Sequence, residues 1–168
     1  MGTNMFSVDN MRQAFDRASQ ILGLLKSELE GMKLAGLGCI KVDISVGAVR
    51  GVYVATFTDV LGETESFVGL AETFPPNAQH LVEGRIASII PPLLELERLL
   101  MQMYDLEHFM VEAATTIAPM PLLVAKETEA RLDALANETL VKLKAFETRI
   151  VAGKDDLNRC KAQLGSGV

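Results

Sequence analysis

Asp105 and His108 stand three residues apart, the spacing at which one helical face presents a carboxylate beside an imidazole. Such a pair is half of a carboxylate-bridged diiron motif. The full motif needs a second acid–histidine pair and two further carboxylates from facing helices. The chain has only two histidines, and the other, His80, is preceded at that spacing by Asn77 instead of an acid. No metal site and no cofactor are therefore expected, and Asp105–His108 reads as a surface neighbour pair.

Nucleophilic chemistry fares no better. A thiol–imidazole pair between Cys39 or Cys160 and a histidine would have to form in space, and nothing in the sequence selects one. Both cysteines sit in apolar settings and read as small buried hydrophobes. There is no G-x-S-x-G elbow and no glycine-rich phosphate loop. Gly36-Leu37-Gly38 follows a helical pattern instead of a strand, so it is expected to stop a helix, not to cradle a dinucleotide. The close acids Glu95/Glu97 and Asp155/Asp156 do not face one another on a helix and read as solvated faces. Met101, Met103, Met110 and Met120 either line an adaptable peptide groove or fill a core, the commoner use. No catalytic residue is assigned.

What the residues do specify is helix packing. From Leu132 onward an apolar seam runs through Ala136, Thr139, Leu143, Phe146, Ile150, Gly153, Leu157, Cys160 and Leu164 in alternating steps of four and three. That alternation keeps one helical face against a partner. Leu132, Leu143, Phe146, Ile150, Leu157 and Leu164 are the candidate interface residues, and Leu143 and Phe146 should form its centre. A helix over 122–164 would be roughly 60 Å long, beyond the diameter of a small domain. Glu129, Thr139 and Gly153 are poor members of its a/d positions, and Gly153 is a candidate break.

The elements before it are expected to be mixed. Ser7 can cap a helix over 8–34, whose Val8, Met11, Phe15, Ala18, Leu22, Leu25 and Leu29 recur at three and four. Ile40, Val42, Ile44 and Val46 then alternate with polar residues, which predicts a half-buried strand. Val49 to Val60, rich in Val, Thr, Tyr and Phe, predicts its antiparallel partner, and Ser66 to Leu70 a short third strand. Asn77 can cap a helix to about Ser88. Pro91-Pro92 should interrupt it, because the ring removes a donor and restricts the preceding residue. A further helix over 92–114 is apolar on more than one side, as a central, buried helix is. Its acids Glu95, Glu97, Asp105, Glu107 and Glu112 are left to share an exposed arc.

The expected fold is thus α+β and mostly helical: an N-terminal helix, a small antiparallel β-meander of two or three strands, then helices ending in a long C-terminal arm. Residues 1–118 would form the compact unit and 119–168 the arm.

Composition narrows function by exclusion. Apolar residues make up 49% and charged residues 23%, a rich apolar share that self-association would help to cover. The net charge is −6. Residues 1–36 are neutral, 37–118 carry −7 and 119–168 carry +1. No basic patch of the kind that neutralises phosphates is present, so nucleic acid and anionic membrane surfaces are disfavoured partners. Two cysteines are too few for a disulfide framework. The opening MGTNMFSVDN lacks the basic start and apolar run of a secretory signal. The longest uncharged stretch, Ala113 to Ala125, contains two prolines and falls short of the roughly 20 residues that cross a bilayer.

The reading that follows is a non-enzymatic structural or assembly subunit that homo-oligomerises through apolar helices. Its partners would be copies of itself and other protein subunits, in the cytoplasm or an assembled particle such as a virion or secretion machine. The rival is an acidic chaperone or adaptor that binds a partner peptide through the methionines. An enzyme with a site of scattered residues is the third reading.

Overall fold

The computed structural model describes residues 6–34, 44–115 and 122–166, and these form four α-helices and one 3₁₀ turn. Helix α1 is Val8–Leu34, α2 is Ile44–Glu72, α3 is Gln79–Thr115 and α4 is Leu122–Ser166, with the 3₁₀ turn Pro76–Ala78 leading into α3. The start of α1 follows from its capping residue: Ser7 Oγ accepts from the Asn10 amide at 3.2 Å, and Asp9 lies in the first turn.

No strand occurs among the described residues, which corrects the expected β-meander. Val49 to Val60, the Leu61-Gly62-Glu63 turn and Ser66 to Leu70 are all turns of α2. The reason lies in which residues are buried. Tyr53, Phe57, Val60, Thr64, Phe67 and Ala71 recur in steps of four and three and are fully enclosed. Tertiary burial on that helical period outweighs the strand preference of β-branched and aromatic residues, a preference that spans only about 1 kcal/mol. Of the first expected strand, Ile44 to Val46 open α2, while Ile40 and Val42 lie outside the described residues, as do Gly36, Gly38, Cys39, Pro119, Met120 and Pro121.

The expected break at Pro91-Pro92 is also absent: both prolines lie inside α3. A proline at 92 removes the amide that would donate to the Ser88 carbonyl. Arg149 of α4 supplies the donor instead, its Nη1 reaching Ser88 O at 3.1 Å. Pro91 and Ser88 are exposed, so water reaches the loosened side of the helix. Asn77 does not cap α3 either. It sits within the 3₁₀ turn, where Ala78 N donates to Pro75 O at 2.9 Å and Gln79 Nε2 to Phe74 O at 2.8 Å.

The helices form a bundle in which α1 packs on α2 and α3, and α4 packs on the same two. Polar pairs between the helices show their directions. Arg17–Glu97 and Glu28–His108 ascend together, so α1 and α3 run parallel. Glu63–Lys154 and the Lys161–Thr73 hydrogen bond ascend together, so α2 and α4 run parallel. Lys142 pairs with Glu95 while Arg149 reaches back to Ser88, so α3 and α4 are antiparallel. Of the middle segment's acids, Glu63 and Glu95 pair with cations of α4, and Glu72 and Glu97 with Arg12 and Arg17 of α1. The helix expected as a projecting arm lies along α2 and α3, with buried residues from Thr128 to Leu157.

Candidate functional site

Five of the six candidate interface residues are buried inside this one chain. Leu132, Leu143, Phe146, Ile150 and Leu157 belong to the core, together with Phe57 and Phe67 of α2 and Ile86, Leu93, Leu96 and Leu100 of α3. Leu164 alone remains open, at 39% exposure. The seam is thus filled from within the chain. Gly153 does not break α4, which is continuous. A Cβ there would lie 3.0 Å from the Phe67 ring and 3.1 Å from Ile89 Cδ1, so the glycine is where α2 and α3 crowd against α4. Of the other weak members, Glu129 is half-buried and Thr139 is buried with its hydroxyl donating to the Leu135 carbonyl at 2.6 Å.

The acid–histidine motif resolves differently from its sequence spacing. The partners of His108 are Glu28 of α1, at 2.7 Å from Nδ1, and Glu112, at 3.1 Å from Nε2, with Tyr104 stacked on the ring at 5.6 Å between centroids. With one carboxylate on each nitrogen, both nitrogens donate when the ring is charged. The hydrogen bond to Glu28 raises the His108 pKa above the usual range, burial opposes it, and the charges of Glu112 and Glu28 add to the rise. The two carboxylates sit at opposite edges of the ring and cannot converge on one ion. Among the described residues no three His, Cys, Asp or Glu side chains are grouped to hold a metal. His80 is exposed and Cys160 half-buried.

The methionines divide between two environments. Met103 and Met110 are buried in the core, and Met101 points outward at 43% exposure. Glu107 is not on an exposed arc: it is fully buried, four residues after Met103 and three before Met110, on the core stripe of α3. The sequence already contained that spacing.

Two shallow clefts border α3. One, of about 410 Å³, lies against α4 between Gln102, Asp105 and Leu106 on one side and Arg131, Leu135 and Glu138 on the other. A smaller one, of about 150 Å³, lies against α1 and is floored by Ile90 and Leu94. Between the clefts runs the outer face of α3, where Leu94, Met101 and Phe109 recur at seven and eight residues and are 39%, 43% and 47% exposed. This line is the candidate functional surface. The sequence predicts a buried central helix over 92–114 from its apolar character on more than one side; the bundle places α3 on its perimeter, so its second apolar side faces outward.

No family model, curated protein or solved structure matches this chain. No helix among the described residues is long and apolar enough to cross a membrane.

Proposed function

We propose that this chain is a non-enzymatic helical subunit that works by packing against further copies of itself, and against other protein subunits, in a larger assembly. The observation that carries the reading is that three large apolar side chains, Leu94, Met101 and Phe109, are exposed on one open arc of α3. Isolated exposed leucines are ordinary on any protein surface. Three large apolar side chains on one open arc of a helix, with Arg98, Gln102 and Asp105 between them, are the anchors of a mixed apolar and polar interface. Leu94, Met101 and Phe109 lie outside the hydrophobic core that the described residues form. Leu24 of α1 adds to these three: it shares a face with Arg17 and Glu28, which both reach α3, and it is exposed.

Molar mass in solution tests the proposal. Light scattering coupled to gel filtration of the full chain should give a defined oligomer whose mass holds across a hundredfold dilution or falls in steps. A monomer at every concentration, up to the highest at which the protein stays dissolved, would refute the reading.

A further inference from the structure

We infer that the partner on the outer face of α3 is a second copy of this chain, docked antiparallel about a two-fold axis that passes between Met101 and Gln102. The inference rests on the assembly reading above and specifies its surface, partner and register.

The order of side chains along the face carries it. Leu94 and Phe109 stand equally far on either side of the Met101–Gln102 midpoint, and so do Arg98 and Asp105. All lie on the outward side of the helix, and Leu94, Arg98, Met101, Gln102, Asp105 and Phe109 are all exposed. In the chain direction the face reads apolar, cation, centre, anion, apolar. Read backwards it offers an anion wherever the first copy has a cation, and Leu94 and Phe109 exchange places, while Met101 falls opposite Gln102. An antiparallel copy therefore places Leu94 against Phe109 at both ends and Arg98 against Asp105 on both sides of the axis. A parallel copy would set Arg98 beside Arg98 and Asp105 beside Asp105. An isologous contact of this kind closes after two copies.

The charges are available for the purpose. Among the described residues Asp105 makes no ion pair within the chain, although it borders the cleft that also holds Arg131. Arg98 meets Glu95 at 3.3 Å in a pair between exposed neighbours on the same helix, a weak tie that a carboxylate from another copy can share. Two-fold symmetry makes every contact twice, so one substitution per chain alters two contacts in the dimer.

Charge reversal with rescue tests the inference. Sedimentation velocity on the full chain would compare wild type, Arg98→Glu, Asp105→Arg, the double variant and Phe109→Ser. All changes are on exposed positions, and circular dichroism with thermal melting checks that each variant keeps its fold. Each single charge reversal should raise the dimer dissociation constant about tenfold or more, because it creates two like-charge juxtapositions. The double variant restores opposite charges and should return to within about threefold of wild type, a shift of under about 0.7 kcal/mol. Phe109→Ser should weaken the dimer without rescue. An oligomer indifferent to all these changes would overturn this surface while leaving the assembly reading standing. Weakening by the single reversals without rescue in the double variant would overturn the antiparallel register. A wild-type monomer would overturn both the inference and the reading beneath it.

Discussion

Replacing Gly153 by alanine should destabilise this protein, although the same change elsewhere in its helices should stabilise it. Glycine within a helix costs about 0.5–1 kcal/mol relative to alanine, so Gly→Ala starts with that gain. At Gly69 and Gly62 in α2 nothing lies within 4 Å of an added Cβ, and the gain should appear undiminished. At Gly153 the added methyl meets two side chains at 3.0 and 3.1 Å. Ile89 Cδ1 is the end of a flexible chain and can turn aside. The Phe67 ring is fully buried and held on all sides. Inserting a methyl into such packing costs about 1–3 kcal/mol. The balance is a net loss of about 1 kcal/mol, or a fall of roughly 2–4 °C in Tm for a chain of this size. Gly69→Ala should instead raise stability by about 0.5–1 kcal/mol. Urea unfolding followed by circular dichroism reads both. If Gly153→Ala stabilises as much as Gly69→Ala, α2, α3 and α4 do not approach as closely as the packing around Gly153 requires, and the account of the seam fails.

Phe146→Ala should cost about 3–5 kcal/mol because the ring is enclosed in the core, whereas Leu164→Ala should stay within about 0.5 kcal/mol, a contrast that denaturant midpoints resolve. Arg149→Ala should cost about 0.5 kcal/mol, because water can take the donor's place at the exposed Ser88 carbonyl, and less in a Pro92→Ala background where residue 92 regains an amide; a double-mutant cycle showing no coupling would exclude the compensation. His108 has a folded pKa above its unfolded value, so its contribution to stability is fully present below about pH 6.5 and is lost as pH rises through the folded pKa. The Tm difference between wild type and His108→Gln should therefore be larger at pH 5.5 than at pH 8.5, and a difference independent of pH would remove the ion pair to Glu28 from the account.

Helices α1 and α4 were legible because their apolar residues repeat on a helical period without competition; Val8–Leu34 and Leu122–Ser166 lie close to the ranges that the pattern predicts. Helix α2 was misread because two signals conflict over residues 40–71 of the sequence. Alternation over residues 40–46 and the abundance of Val, Thr, Tyr and Phe favour strands, while Tyr53, Phe57, Val60, Thr64, Phe67 and Ala71 keep a helical period. The second signal decides, since it determines which side chains leave water. The unbroken α3 could not be read locally at all. Its continuity across Pro91-Pro92 is accompanied by a donor from Arg149, sixty-one residues away in sequence, and no window around the prolines contains it.

The candidate surface illustrates the same division. Sequence established that α3 is apolar on more than one side, and that observation holds. Its interpretation depended on where the helix sits, which sequence did not supply. A helix surrounded by others in its own chain uses all its apolar faces within one molecule. A helix at the perimeter of a four-helix bundle uses one, and the remainder stays open to a partner. Leu94, Met101 and Phe109 are that remainder, and the charges between them are ordered so that a second α3, reversed, meets opposite charges along the row. Leu94, Met101 and Phe109 lie outside the core, so single substitutions on this face can separate folding from association.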